Sequence, residues 1–379
     1  MERLSHYSKF LVTDYSSFES HFKKDLMEDC EFLLYEHMLS STAEGAYAMN
    51  LIRTVIGGKN HVKVLNGHYA VDATRMSGEM NTSLGNGFSN LMFMLFILQE
   101  LGITDFDGVV EGDDALFGIH GQPPTTQDFK KLGLSIKLEV HESIRTTSFC
   151  GQVFDDIDKA LLTDPLKVLA TFGWTGKQYL NASRKKLLGL VKAKSLSYLY
   201  QHPACPIVTE LALYGLRITQ GIKYVTTDYE DSCFWKSYKL QHMKTMYHLI
   251  ASGYRKKKIG MGSRFLVEEK FGITVQQQLI VEEYLRSLNT VQELSHPVFD
   301  DLPFHPHTAH NYEYYVGYYR KNLPVNIRMG NNYINSDFIE SLKQVSEMVA
   351  HGEPLHQVAS YIAKDTDLVG IFAPISKDL

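Results

Sequence analysis

The chain has 379 residues, 44% hydrophobic, 12% aromatic and 21% charged, the make-up of a globular protein with room for two or three lobes rather than of a disordered or fibrous one. No run approaches the roughly 18–20 apolar residues of a membrane span; the best candidate, "NLMFMLFILQ" at 90–99, reads as a buried helix, and the opening "MERLSHYSKF" lacks the apolar core of a secretion signal. The formal net charge of −5 argues against a nucleic-acid partner unless basic residues are concentrated locally, and Cys30, Cys150, Cys205 and Cys233 are too scattered for a zinc site or a disulfide framework and read as reduced thiols.

Up to about residue 160, short β-like runs alternate with helices. The first run, "KFLVTDY" (9–15), carries Asp14 to its end, and Glu19 follows five residues later at the start of a helix. A carboxylate ending a strand suits a metal ligand; the alternative is that Asp14 caps a helix beginning near Ser16. In "RMSGEMNTSLGNGFSNLMF" (75–93), Ser77 and Gly78 open a flexible turn. Thr82 and Asn86 then share one face of a helix whose other face is Leu84, Phe88, Leu91 and Leu95. Small hydrogen-bonding side chains beside a glycine-rich loop suit gripping a sugar or a backbone, and the plainer alternative is an N-capped amphipathic helix.

"FDGVVE" (106–111) and "ALFGI" (115–119) read as a hairpin, with Gly112 giving the turn its backbone freedom. Asp113 and Asp114 then sit side by side at the tip, where a divalent cation would convert their repulsion into coordination; the alternative is a solvated acidic turn. "LSIKLEV" (134–140) reads as a further strand.

Beyond residue 160 helical spacing dominates, with segments at 183–201, 207–221, 236–252, 275–288 and 334–350. No acidic residue lies between Asp164 and Glu210, whereas Lys167, Lys177, Arg184, Lys185, Lys186, Lys192 and Lys194 do, interleaved with Phe172, Trp174, Tyr179, Tyr198 and Tyr200. This local charge suits a phosphate backbone, against the alternative of a solvated helix face. "YRKKK" (254–258) is a weaker candidate. His305, His307 and His310 match no familiar metal spacing and read as loop, and "YEYYVGYYR" (312–320) reads as packed surface, with a nucleotide-stacking platform as the sharper alternative.

In this order the elements resemble the RNA-dependent RNA polymerases of positive-strand RNA viruses, with wording closest to the tombusvirus-like group. Asp14 and Glu19 match motif A; Ser77, Gly78, Asn81, Thr82 and Asn86 match motif B; Gly112, Asp113 and Asp114 match motif C. "DFKKLGLSIKLE" (128–139) is similar to motif D and "FCGQVF" (149–154) to motif E. The resemblance implies an α+β fold: a right-hand palm, an antiparallel sheet packed on helices, at 1–26 and 71–160. A fingers-like insertion is expected at 27–70, and a mostly helical thumb and C-terminal segment at 161–379.

The implied activity is template-directed nucleotidyl transfer from ribonucleoside triphosphates to an RNA 3′-hydroxyl, with RNA template and product as partners. The implied cofactor is a pair of Mg²⁺ (or Mn²⁺) ions, with Asp14 and Asp113 as bridging ligands and Asp114 as an auxiliary one. Glu19, Asn86 and Thr82 are expected to read the ribose 2′-hydroxyl, Ser77 and Gly78 to form a loop that adjusts as substrates enter, and Lys137, or else His141, to act as general acid. Lys177, Arg184, Lys185, Lys186, Lys192 and Lys194 are the expected RNA contacts. The expected setting is the host cytoplasm, in a membrane-associated viral replication complex.

Two departures stand out. Glu19 replaces the family's usual aspartate, and Glu79 stands where tombusvirus-like members often have one. The short stretch before Asp14 leaves no room for N-terminal fingers or the basic motif F, so the chain is expected to be incomplete and to need a fingers segment or a partner viral protein. Two rival readings are a non-catalytic polymerase-like scaffold that binds RNA or a replication partner, and a reverse transcriptase, whose hairpin more often reads aromatic-x-Asp-Asp.

Overall fold

The structure is a computed structural model that describes residues 2–64, 67–76, 78–174, 179, 182–223, 244, 245, 248, 257–303, 305, 326, 327 and 348. Ser77, Lys177, Cys233, His307, His310, the tyrosine cluster, most of "YRKKK" and nearly all of the helices expected at 236–252 and 334–350 lie outside the described residues. The chain divides into two compact units, residues 1–156 and 157–379.

The first unit runs β1 (Lys9–Tyr15), α1 (Lys24–Asp29), α2 (Glu31–Leu39), α3 (Ala43–Val55), the hairpin β2 (Lys59–Val64) and β3 (Gly67–Asp72), and the long helix α4 (Thr82–Glu100). It continues with β4 (Phe106–Glu111), β5 (Asp114–Ile119), α5 (Thr126–Lys131), β6 (Ile136–His141), β7 (Ser148–Phe149) and β8 (Gln152–Asp155). Its main sheet has the order β4-β5-β1-β6, antiparallel throughout. Period-two alternation gives the sheet two covered faces. Leu11, Tyr15, Ala115, Phe117 and Ile119 pack with Phe93, Met94, Ile97 and Leu98 of α4 and with Phe18, Phe22, Met27 and Phe32. Phe10 and Leu116 point the other way, into a smaller cluster with Leu4, Tyr7, Ile144 and Phe154. Each large side chain buried this way contributes roughly 1.5–3 kcal/mol before conformational entropy is charged against it.

Two expectations shift. β6 starts at Ile136 rather than at residue 134, because Leu134 still belongs to the end of α5: its N–H bonds the Phe129 carbonyl after Gly133 turns the chain at φ +77°. The larger change is the orientation of α4. Leu84, expected on the apolar inner face, is exposed, whereas Gly85, Asn86, Ser89 and Asn90 are buried. The helix is buried through polar residues in its first half and through Phe93, Met94, Ile97 and Leu98 in its second. The physical reason is the partner each half meets: the second half covers the sheet, while the first meets backbone carbonyls of the β4–β5 turn.

The second unit is mainly helical among its described residues. α6 (Pro165–Thr171) starts with Asp164 accepting from the Leu166 and Lys167 N–H groups and with proline at its first position. α7 (Arg184–Gln201) is capped by Ser183 and packs on α8 (Val208–Ile218) through Leu196, Leu199 and Ala212. Two further helices, Met261–Phe271 and Val275–Ser287, follow. They are joined by a buried pair in which Arg264 donates from both terminal nitrogens to Glu282, at 3.0 and 2.8 Å. The Ile207 N–H donates to the same carboxylate at 3.0 Å, so one acid ties three segments.

Candidate active site

The β4–β5 register pairs Glu111 with Asp114 and leaves Gly112 and Asp113 as a two-residue connection. Gly112, at φ +59°, takes the left-handed conformation that such a tight hairpin asks of its first loop residue. β1 pairs with β5 up to Thr13 opposite Ala115, so the next step of the same register sets Asp14 beside Asp114. On its other side Asp14 is paired with Lys137 of β6. Residues roughly a hundred positions apart are thus brought to one end of the sheet. Asp14 lies within the strand, and the short 3-10 turn Phe18–His21 starts after Ser17, so Asp14 is not a helix cap.

Asp14 and Asp113 are exposed and Asp114 is half-buried. The Asp114 carboxyl is held above the usual aspartate range, first by burial and then by the neighbouring Asp113 and Asp14 charges. A hydrogen bond from Cys150, in the β7–β8 turn, works in the opposite direction. The Cys150 thiol is itself pushed up to about 11, by partial burial and then by Asp114, so at neutral pH it is a protonated donor and not a thiolate.

Behind the tip stands a residue outside the expected set. Asn90 of α4 is fully buried, and its Nδ2 lies 3.2, 3.0 and 3.3 Å from the carbonyls of Gly112, Asp113 and Asp114. It fixes the turn to the helix. The signal was available, because Asn90 extends the Thr82–Asn86 stripe by one more step of four residues.

Of the expected sugar-site residues, Asn86 and Glu19 meet directly, Asn86 Nδ2 donating to Glu19 Oε1 at 3.3 Å. Asn86 is only 3% exposed, and its Oδ1 has no partner among the described residues. Thr82 donates from Oγ1 to the Met76 carbonyl at 3.3 Å, bracing the turn that opens α4. Gly78 in that turn has φ +89°. Glu79 is half-buried, and burial raises its carboxyl above the usual range.

Lys137 is exposed and paired with Glu139 at 2.6 Å, which holds its ammonium above the usual lysine value. His141 shares Glu139 at 3.3 Å and lies 3.0 Å from the Thr146 hydroxyl.

Among the described residues no three His, Cys, Asp or Glu side chains are gathered closely enough to hold a metal ion as they stand. The donor chemistry of the tip fits a hard divalent cation nonetheless. Asp14, Asp113 and Asp114 offer only carboxylate oxygens, and the raised Asp114 carboxyl marks a like-charge conflict that a cation relieves.

In the second unit, Arg184 and Lys185 are exposed at the start of α7. Lys186 is half-buried, with its ammonium 5.1 Å over the Tyr179 ring. Lys192 and Lys194 are turned inward: Lys192 Nζ donates to the Ile222 carbonyl at 2.8 Å, and Lys194 Nζ to the Thr171 carbonyl at 2.7 Å. Desolvation pushes Lys194 down to about 8. His305 pairs with Asp164 at 3.2 Å.

An antiparallel sheet with carboxylates at a hairpin tip, backed by a long helix, is an α+β arrangement consistent with the palm of a polynucleotide polymerase. Residues 12–132, about a third of the chain, match the family model described as viral RNA dependent RNA polymerase. That segment, from the strand bearing Asp14 past the Gly112–Asp114 turn, is therefore assigned to viral RNA-dependent RNA polymerases as a class, without singling out the tombusvirus-like group. A comparison with curated proteins gave no match. Polymerases of this family act on RNA and ribonucleoside triphosphates and generally use divalent metal ions. No helix among the described residues is long and apolar enough to cross a membrane.

Proposed function

We propose that this chain carries the catalytic palm of an RNA-dependent RNA polymerase that joins ribonucleotides to an RNA 3′-hydroxyl under the direction of a template. One observation carries the reading: the strand register that sets Asp14 beside Asp114 at a tip whose turn is tied to α4 through Asn90.

Phosphoryl transfer asks a protein for positioning and charge neutralisation, because nucleophile and leaving group both arrive with the substrates. Asp14 and Asp113 would hold the divalent ions, with Asp114 as a further ligand, and ions held there would supply the charge that makes the attacking hydroxyl more acidic and the leaving oxygen more stable. The chain's own contribution is to keep those carboxylates at a fixed place. The β1–β5 ladder sets the Asp14 backbone, the two-residue turn sets Asp113, and the Cys150 thiol orients Asp114.

Sugar recognition falls to Glu19 and Asn86. The Asn86 amide donates to Glu19, and its Oδ1, without a partner among the described residues, is left to accept a hydrogen bond from a 2′-hydroxyl, which a deoxynucleotide lacks. Lys137, whose ammonium is paired with Glu139, is the residue placed beside Asp14 that can donate a proton to departing pyrophosphate. Arg184, Lys185 and Lys186 form the RNA-contacting part of α7, since Lys192 and Lys194 are engaged by carbonyls.

The test is incorporation of labelled ribonucleotides on a defined RNA template with Mg²⁺ or Mn²⁺, by the chain alone and with any upstream or partner segment added. Template-directed, metal-dependent incorporation that disappears in Asp113→Asn is expected. Equal incorporation by the variant would remove the tip from the mechanism, and RNA binding without incorporation under any condition would favour the scaffold reading.

A further inference from the structure

The segment between β1 and α4 contains a buried charge pair that the mechanism above leaves without a role. Glu31, the first residue of α2, and Arg75, just before the turn that opens α4, are 0% and 2% exposed and form an ion pair through Glu31 Oε2 and Arg75 Nη2. The guanidinium lies 4.3 Å from the centroid of the Phe22 ring. Gly85 of α4 makes room for the pair: a Cβ there would stand 2.3 Å from Glu31 Oε2 and 2.4 Å from Arg75 Nη1. The pair is therefore wedged against the backbone of α4 one residue before Asn86.

A buried ion pair is by itself a weak stabiliser, because desolvating both charges offsets most of their attraction. Its neighbours indicate what else it does. Burial pushes Arg75 down to about 10, and among the charges acting against that burial are Glu79, in the turn that opens α4, and Glu19, the carboxylate of the candidate sugar site. Glu19 is the acceptor of the Asn86 amide. Apart from Glu31, the guanidinium has no hydrogen-bond partner among the described residues, so no carbonyl competes for its charge.

We propose that Arg75, clamped by Glu31 against Gly85, is a positioning residue for sugar selection: its charge holds Glu19, the acceptor of the Asn86 amide, in place, so that a ribose is preferred to a 2′-deoxyribose. Arg75 itself touches no substrate. The inference rests on the polymerase reading for its substrate class, and its test includes a readout that does not need turnover.

The informative variant is Arg75→Met/Glu31→Met, which replaces the pair by apolar side chains and leaves no buried charge unpartnered. Arg75→Lys serves as the conservative companion, keeping the charge but losing the planar fork. For each protein, circular dichroism checks folding, and kcat/KM is measured for ATP and dATP on a matched RNA template. Equilibrium binding of ATP and dATP with Mn²⁺ is measured alongside. In the double variant the ratio of ATP to dATP should fall by about tenfold, the loss expected when one charge-assisted contact is weakened, with Arg75→Lys in between.

A purely structural role would lower both nucleotides together; a ratio within twofold of the wild type overturns the proposal. If the wild type proves inactive in turnover, the polymerase reading fails on its own terms and the binding ratio decides: loss of ATP preference in the variant supports the proposal, and a wild type that binds both nucleotides equally refutes it. If the double variant does not fold, Arg75→Lys decides by the same ratio, a threefold or larger fall supporting the proposal and an unchanged ratio refuting it.

Discussion

Asn90→Leu deletes the amide that ties α4 to the β4–β5 turn while keeping nearly the same side-chain size. The amide nitrogen carries two N–H groups, so of the three carbonyls at 3.0–3.3 Å at most two are bonded at once. At a net 0.5–1.5 kcal/mol per bond the loss is about 1–3 kcal/mol. The turn is partly open to solvent, Gly112 being half-buried and Asp113 exposed, so water replaces part of the bonding and the expected cost lies near 1–2 kcal/mol. That corresponds to amide exchange about 5–30 times faster wherever the link limits local opening. Hydrogen–deuterium exchange read by mass spectrometry on peptides covering 106–119 measures it, with peptides from 184–218 in the other unit as internal control. Acceleration confined to the first set is expected. Unchanged exchange at 106–119 in a folded variant would refute the claim that Asn90 secures the turn. If the turn positions the reacting groups, a displacement of the order of an ångström also lowers incorporation by about a hundredfold.

Further expectations follow from the charges. The Asp114 carboxyl is raised in the folded state, so its favourable contribution is present at acid pH and is lost as pH rises through the folded value. Asp114→Asn should therefore raise the Tm at pH 7 and give no gain near pH 3, and Mg²⁺ should stabilise the wild type more than the variant; thermal melts across pH, with and without the ion, test both. Arg264→Met leaves Glu282 buried without its bidentate partner and should cost about 3–5 kcal/mol, measured as a lower urea midpoint by fluorescence of Trp174 and Trp235, both in the second unit. Arg184→Glu/Lys185→Glu should weaken single-stranded RNA binding and flatten its salt dependence by about one to two units of slope, whereas Lys194→Met, whose ammonium is engaged by Thr171, should leave both unchanged; filter binding over a salt series separates the two.

The parts of the fold legible in the sequence are those governed by local pattern. β1 and β4 occupy the expected residues because alternation and flanking turn residues define a strand locally, and α7 begins where Ser183 offers a cap. The facing of α4 was not legible in this way. A helical wheel assigns the inner side to Leu84 and its neighbours, and although the four-residue spacing of Thr82, Asn86 and Asn90 marks a polar stripe, it does not announce that a hairpin tip will present three carbonyls to Asn90. The Glu31–Arg75 pair joins residues far apart in sequence through a gap left by a single glycine, and no local motif encodes such a contact. Helix Met261–Phe271 escaped for a related reason, as Arg264 reads as a surface residue until Glu282 of the next helix is seen beside it. The basic stretch of α7 was visible as composition, but which lysines bend back onto carbonyls depends on Thr171 and Ile222, and therefore on tertiary packing.

The position of β1 inside the sheet has a consequence for synthesis. It is flanked on both sides, yet it leaves the ribosome about a hundred residues ahead of β5 and further still ahead of β6. At about 5–20 residues per second the nascent strand waits roughly 5–20 s for its first neighbour. Through that interval Phe10, Leu11 and Val12 stand with both hydrogen-bonding edges bare. Production of the protein is therefore exposed to misassociation at β1 until residue 119 has emerged.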